Sequence, residues 1–289
     1  MSIRKVKLSL KSKTTLEGAG VRLKRAFGYA DESLDPFLLL DDFSSSNPND
    51  YLPGFPWHPH RGIETITYIL HGKVEHKDSL GNGGIIGSGD VQWMTAGSGI
   101  IHQEMPKPMD DDPELTGYQL WANLPVSHKM MDPRYRGITQ KEIPEVIIDD
   151  KVKVKIVSGE IDGVKGPVQD VITNPEYLDV SIDPNHQFSH RIPQDHNVFA
   201  YVISGEAYFD DDHTQLIDQK NVVMYRNGDE VHIKTEEKPV RFLLVSAKPL
   251  KEPVAWRGPI VMNTEEELQE AFREFKNGTF IKHSSKIDN

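Results

Sequence analysis

Short segments of β-branched and aromatic residues, each followed by turn residues, recur along this 289-residue chain. Apolar and polar residues alternate in VKVKIVSGEI, YLDVSI, VFAYVISGEAYF, NVVMY and RFLLVSA. Alternation with period two predicts strands, and the Gly, Asn, Asp and Pro residues between them predict turns. The sequence therefore favours an all-β fold built from many short strands.

A repeated pattern divides the predicted strands into two similar halves. Tyr68–Gly72 resembles Tyr201–Gly205, and the pair Gly89-Asp90 corresponds to Gly228-Asp229. Both halves thus contain a strand, a glycine turn, a strand, a Gly-Asp turn and a further strand. Two matched points at nearly constant spacing indicate a duplicated β domain. A double-sheet jelly roll would let each copy bury two faces and protect its edges.

One helix is predicted near the C-terminus, in NTEEELQEAFREF. Thr264 can cap its first turn, and Glu267 stands three residues later, as a capping box requires. The buried stripe of this helix would consist of Leu268, Ala271, Phe272 and Phe275.

The composition limits the classes of partner. The 33 basic and 44 acidic residues give a formal net charge of −11, which disfavours direct binding of nucleic acid. No apolar run is long enough to span a bilayer, and the N-terminus lacks the apolar segment of a secretory signal. We therefore expect a soluble, cytoplasmic monomer; a nuclear location would also be compatible with a eukaryotic source. Cysteine is absent, so any metal must be held by nitrogen and oxygen ligands.

Two short motifs predict a metal site in the first half. His58 and His60 are two residues apart and share a face of a strand, and His102 and Glu104 repeat that spacing. Together they offer three imidazoles and one carboxylate, a set that suits Fe(II) or Mn as well as Zn, Cu or Ni. Strand parity would also place Glu64 on the face of the histidine pair, so spacing does not decide between Glu64 and Glu104. His71 and His76 lie beside a glycine turn and among charged residues, and both are interpreted as solvated.

The segments GFPWHPHRGIETITYILHG and GDVQWMTAGSGIIHQEMP resemble the pirin family, a branch of the cupin superfamily. GYQLWANLP, VISGE and EPVAWRGPIVMNTEEEL extend the resemblance over nearly the whole chain. It implies an all-β fold of two tandem cupin domains, jelly-roll sandwiches or barrels, with a short C-terminal helix. The predicted domains are 1–145, with the metal site, and 146–289, with the helix and without a metal.

The same resemblance implies one mononuclear metal, normally Fe(II), with Mn, Zn, Cu, Ni or Co as alternatives. Its ligands would be His58, His60, His102 and Glu104, and Glu64 would lie close enough to orient a ligand. When the two halves are aligned at Tyr68 and Tyr201, Arg191 and Pro193 occupy the positions of the histidine pair. The second domain is therefore expected to have a structural role.

The resemblance further implies the activity of a quercetin 2,3-dioxygenase, which opens a flavonol ring with O₂. Glu104 would accept the proton of the 3-hydroxyl group. Phe55, Trp57, Trp93 and Met94 would form apolar walls for a flat aromatic substrate, although core packing explains them equally well. The alternative is a redox-sensitive iron protein that regulates a protein partner, either as a transcription cofactor or as a modulator of a metabolic enzyme. A metal-dependent isomerase or a small-molecule binder is a third hypothesis.

Overall fold

The computed structural model describes residues 2–109 and 112–283. Within these residues the chain is mostly β, as predicted. The strands are β1 (Val6–Lys11), β2 (Lys13–Glu17), β3 (Val21–Gly28), β4 (Phe37–Asp42), β5 (Phe55–His60), β6 (Ile63–His71), β7 (Lys73–Asp78), β8 (Gly83–Ile86), β9 (Val91–Thr95), β10 (Ile100–Lys107), β11 (Thr116–Asn123), β12 (Arg134–Ile138), β13 (Glu145–Ile148), β14 (Val152–Ser158), β15 (Glu160–Ile161), β16 (Val164–Lys165), β17 (Glu176–Ile182), β18 (Gln187–Arg191), β19 (Asn197–Tyr208), β20 (Leu216–Asp218), β21 (Asn221–Tyr225), β22 (Glu230–Lys234), β23 (Val240–Ala247), β24 (Ala255–Arg257) and β25 (Ile260–Met262). The α-helices are α1 (Pro48–Tyr51) and α2 (Glu265–Asn277). No helix in the described part of the chain is both long and apolar enough to cross a bilayer.

The chain forms two compact units. The first unit contains Thr14–Gly28, Phe37–Gln140 and the described residues from Lys251 onward. The second unit contains the described residues up to Lys13 together with Tyr29–Pro36 and Lys141–Leu250. These units differ from the predicted domains at both chain ends, because β1 pairs with β21 of the second unit whereas α2 contacts β24 and β25 of the first.

The first unit is a sandwich of two antiparallel sheets. Its larger sheet has the strand order β12-β9-β6-β11-β4-β3-β2, and its smaller sheet has the order β5-β10-β7-β8. Side chains alternate between the two faces of each strand, so every second residue points into the space between the sheets. Apolar residues fill part of this interior, and one cluster includes Ile63, Met94, Ile100 and Trp121.

The second unit repeats the strand order of the first. Its main sheet follows the path β1-β21-β19-β23-β17-β14-β13, in which β19 lies between β21 and β23 as β6 lies between β9 and β11. This correspondence confirms the predicted duplication. The interior of the second unit is filled by apolar side chains, among them Phe188, Ile192 and Val231. Arg191 and Pro193 are exposed, and Ile192 between them is buried.

The C-terminal helix α2 begins and ends as its sequence predicts. Thr264 accepts a hydrogen bond from the backbone N–H of Glu267, and the Glu267 carboxylate bonds back to the Thr264 N–H, which confirms the capping box. Leu268 and Ala271 are buried. The prediction was wrong for Phe275, which is 41% exposed because it packs against the single ring of Phe280 at the edge of the unit.

Candidate metal centre

Two neighbouring strands of the smaller sheet bring the predicted histidines together. Strands β5 and β10 run antiparallel, with His102 opposite His58 and Ile100 opposite His60. The register then shifts by one residue, so that Glu104 stands opposite Phe55. The i, i+2 spacing on each strand thus places three imidazoles in one region of the sandwich interior.

The three imidazoles are close enough to share one ion. Ring nitrogens of His58, His60 and His102 all lie within 4.8 Å of one another, and no other such group occurs among residues 2–109 and 112–283. The Nε2 atoms of His58 and His60 are 3.1 Å apart. The ring of His102 lies 4.3 Å from that of His58 and 5.0 Å from that of His60, measured between centroids.

Backbone carbonyls determine which nitrogen of each paired histidine faces the interior. The Nδ1 of His58 lies 2.8 Å from the carbonyl oxygen of Pro56, and the Nδ1 of His60 lies 3.0 Å from that of Pro259. Because a carbonyl only accepts, both Nδ1 atoms must carry the hydrogen, and both Nε2 atoms then present lone pairs to each other. Two nitrogens bound to one metal ion at about 2.1 Å and at a right angle would be about 3.0 Å apart. The observed Nε2 separation fits such a shared ion.

The surroundings of His102 are a second, independent indication of a metal site. His102 is fully buried, and neither of its ring nitrogens has a hydrogen-bond partner. A buried polar group without a partner is destabilising by about 1–3 kcal/mol, so one of these nitrogens is expected to bind an ion. Burial, followed by the neighbouring histidines, holds the pKa values of His60 and His102 well below the ordinary value. Burial also lowers the pKa of His58. The neutral imidazoles that result are the form that binds metals.

Glu104 lies next to the three histidines but outside their group. Its Oε1 accepts hydrogen bonds from Thr67 Oγ1 at 3.0 Å and Gln92 Nε2 at 3.4 Å. Its Oε2 accepts one from Gln119 Nε2 at 2.8 Å. Gln119, Thr67 and Gln92 stand directly opposite one another on β11, β6 and β9, and we call them the donor row. The structure therefore holds the Glu104 carboxylate by side-chain donors from three strands.

Glu64 is separated from the histidines by the sheet itself. Its Oε1 accepts a hydrogen bond of 2.7 Å from Thr95 on β9. Thr67, three residues further along the same regular strand, bonds to Glu104, so Glu64 points to the opposite face of β6. The prediction that Glu64 shares a face with His58 and His60 is wrong, because the chain turns at Gly62, at φ +78°, as it passes from one sheet to the other. Burial raises the pKa of Glu64.

The four predicted wall residues are divided between different surroundings. The ring of Phe55 lies 6.5 Å from that of His58 and lines a small cavity together with Glu104. Met94 packs in the interior cluster that includes Trp121. Trp93, the neighbour of Met94 on β9, points to the opposite face of the sheet, on the side of Glu64. Trp57 is 53% exposed. Only Phe55 and Met94 therefore lie on the interior side of the sandwich.

His76 was misinterpreted as solvated. It is fully buried on β7, with its ring 5.4 Å from that of His102 and stacked at 4.9 Å on Tyr135. Its Nε2 lies 3.4 Å from the carboxylate of Asp78. Val74, His76 and Asp78 are buried in turn between more exposed charged residues. This alternation was visible in KVEHKD and could have identified His76 as an inward-facing residue.

Comparison with known proteins identifies the family. The model described as Pirin matches residues 20–122, and the model described as Pirin C-terminal cupin domain matches residues 177–281. A human protein named Pirin is 42% identical over 280 residues, which cover 96% of this chain and 93% of the human one. The chain belongs to the pirin family. This confirms the resemblance inferred from the histidine motifs.

Solved pirin and dioxygenase structures share the fold of this pirin-family chain. A quercetin 2,3-dioxygenase from Acinetobacter baumannii is similar with a TM-score of 0.88 and 33% identity, covering 96% of this chain and 99% of its own. A bacterial pirin from Escherichia coli, in complex with nickel(II), is similar with a TM-score of 0.63 and 22% identity, covering 84% and 99%. The second likeness shows the fold alone. Both agree with the two-unit cupin architecture.

Proposed function

We propose that the protein is a mononuclear metal-dependent dioxygenase of the quercetin 2,3-dioxygenase type, which opens the ring of a flavonol-like substrate with O₂. The observation that carries the proposal is the arrangement of three neutral imidazoles whose free nitrogens face one another within 4.8 Å. The likeness to the Acinetobacter baumannii enzyme over nearly the whole chain supports the reaction class.

His58, His60 and His102 would hold the metal, and Glu104 would supply the fourth ligand. Imidazoles combined with a carboxylate favour Fe(II), and Mn, Zn, Cu, Ni and Co remain alternatives to be tested in the same experiment. Nickel is bound by the Escherichia coli relative. When bound, the metal supplies Lewis-acid polarisation of a substrate oxygen and a site for O₂ chemistry.

Glu104 is also proposed as the proton acceptor for the 3-hydroxyl group of the substrate. An ionised carboxylate offers about four lone-pair sites, and the donor row occupies three of them. Two of these donors bond to Oε1 and one bonds to Oε2, so the remaining capacity lies on Oε2. Oε2 would therefore either bind the metal or, once released from it, accept the hydroxyl proton.

The interior side chains beside the histidines would select a flat aromatic ligand. Phe55 lies next to His58, and Tyr135 is half-buried against His76. Burial raises the pKa of Tyr135, so its hydroxyl remains a neutral donor near pH 7. These rings would exclude water and keep the substrate plane aligned with the centre.

The test is metal analysis and flavonol turnover on the same protein sample. Iron-loaded protein should bind one ion per chain, consume O₂ and remove flavonol absorbance. His102→Gln should lose the metal and the turnover together. The control is His190→Gln in the second unit, where His190 pairs with Glu176 at 2.9 Å, and this variant should keep both. Absence of turnover with several flavonols and all six metals would exclude the proposed activity.

A further inference from the structure

A continuous set of contacts on β11 joins the two parts of the candidate centre. Gln119 donates to Glu104 Oε2 at 2.8 Å and also to Thr67 Oγ1 at 3.2 Å. Its Oε1 accepts a hydrogen bond of 3.1 Å from the indole N–H of Trp121. Trp121 in turn meets the ring of His60 edge-on, at 5.0 Å between centroids. Gln119 and Trp121 therefore link Glu104 to one of the histidines.

We propose that Gln119 is a positioning residue that sets how Glu104 is presented to the metal and the substrate, and that Trp121 fixes the orientation of Gln119. The inference rests on the proposed function for the chemical role of Glu104. It does not depend on which flavonol is the substrate.

The orientation of the Gln119 amide follows from the chemistry of its partners. An indole N–H only donates, so the amide oxygen must face Trp121. The amide nitrogen must then face Glu104, which as an ionised carboxylate only accepts. Rotation of the amide by a half-turn would set oxygen against oxygen at Glu104 and N–H against N–H at Trp121. The two neighbours therefore permit one orientation.

Gln119 also donates to Oε2 of Glu104, the oxygen proposed to bind the metal or accept the proton. Oε1 has two donors, Thr67 and Gln92, whereas within the described residues Gln119 is the one donor to Oε2. Oε2 is the oxygen with a lone pair left for a metal or a proton. Without Gln119 this oxygen would be free to rotate away while Oε1 stayed bound.

The duplicated unit supplies an internal comparison. Tyr68 aligns with Tyr201, so Thr67 aligns with Ala200. Ala200 stands opposite Val223 on β21 and Leu244 on β23, at the strand positions that Gln92 and Gln119 occupy in the first unit. All three of these residues belong to the apolar core of the second unit. The copy that lacks the histidine pair thus also lacks every member of the donor row, which associates the row with the metal centre rather than with the scaffold.

The test compares Gln119→Leu with a matched control in Co(II)-loaded protein. Leucine keeps most of the side-chain volume and removes both the donor and the acceptor. The control is Gln103→Leu, because Gln103 lies between His102 and Glu104 on β10 but on the opposite face of that strand. Trp121→Phe keeps an aromatic ring near His60 but removes the indole N–H together with part of the ring system, and it carries the test if Gln119→Leu does not fold.

Gln119→Leu should still bind one Co(II) per chain, because the three histidines are intact, but its visible Co(II) spectrum should differ from that of the wild type. In the iron-loaded enzyme its kcat should fall roughly 10- to 100-fold, with flavonol KM changed much less. Trp121→Phe should show the same changes to a smaller extent, and Gln103→Leu should match the wild type.

Spectra of Gln119→Leu and Trp121→Phe that coincide with the wild-type spectrum would overturn the positioning role. So would an equal change in Gln103→Leu. The spectrum needs no turnover, so a wild type without activity would refute the proposed reaction while the spectral comparison still decided the role of Gln119.

Discussion

The C-terminal segment of the first unit packs tightly against Gly62, two residues after the candidate ligand His60. A Cβ atom added to Gly62 would lie 1.9 Å from the carbonyl oxygen of Val261 on β25. An ordinary contact begins at 3.4 Å, so Gly62→Ala would force that carbonyl to move by about 1.5 Å. The same carbonyl accepts a hydrogen bond of 3.1 Å from Nζ of the buried Lys129. Two residues earlier, Pro259 holds the Nδ1 of His60.

The expected loss of stability in Gly62→Ala has two sources, the backbone conformation and the lost hydrogen bond. A left-handed backbone is unfavourable for alanine by about 1–2 kcal/mol, and reduced freedom of the unfolded chain offsets about 0.4–1 kcal/mol of that. Loss of one hydrogen bond of the buried Lys129 Nζ adds about 1–3 kcal/mol. We therefore expect Gly62→Ala to lower the free energy of unfolding by about 2–4 kcal/mol. Metal affinity should fall roughly 10- to 100-fold, because His60 loses the carbonyl that orients it.

Gly258→Ala is the matched control for this variant. Gly258 also has a positive φ, +55°, and it directly precedes Pro259, but an added Cβ would meet nothing within 4 Å. It carries the backbone penalty without the clash, so its loss of stability should stay near 1 kcal/mol and its metal affinity near that of the wild type. The assays are urea denaturation and competitive titration of the metal-free protein with zinc. Equal zinc affinity of the two variants would refute the claim that the Pro259 carbonyl, just before β25, positions His60.

Three further predictions concern other buried groups. Glu64→Gln should leave the metal content and the Co(II) spectrum unchanged, since Glu64 points away from the histidines; loss of metal would contradict that placement. Burial lowers the pKa of Lys129 from 10.5 to about 7, so between these pH values the unfolded chain binds more protons and wild-type stability should rise with pH. Lys129→Met cannot titrate at this position, so the free energy of unfolding of the wild type minus that of the variant, measured by urea denaturation, should increase from near pH 7 to near pH 9 by up to about 1.4 kcal/mol per pH unit. A difference that does not change with pH would mean that Lys129 stays charged. Thr264→Ala removes the cap of α2 and should lower the free energy of unfolding by about 1 kcal/mol, measured against the exposed neighbour variant Glu266→Ala.

Features that depend on a few neighbouring residues could be predicted from the sequence. The capping box of α2 and the common face of His58 and His60 both follow from spacings of two or three residues within one element. The duplication was also accessible, because Tyr68 and Tyr201 begin the same pattern in both halves. The hydrogen bond between His60 and the Pro259 carbonyl spans 199 residues, and no local pattern indicates it.

The misplacement of Glu64 shows where strand parity stops being a valid argument. Parity relates residues only while one strand continues, and between His60 and Glu64 the chain leaves β5 for β6 in the other sheet. Gly62 lies between them, and glycine inside an apparent strand is a signal for a bend or a close backbone approach. Here it is both, because its φ is +78° and its Cα faces the Val261 carbonyl. The glycine that allows the close approach of the Val261 carbonyl is thus also the residue at which the chain turns Glu64 away from the histidines, whereas Glu104 lies beside them.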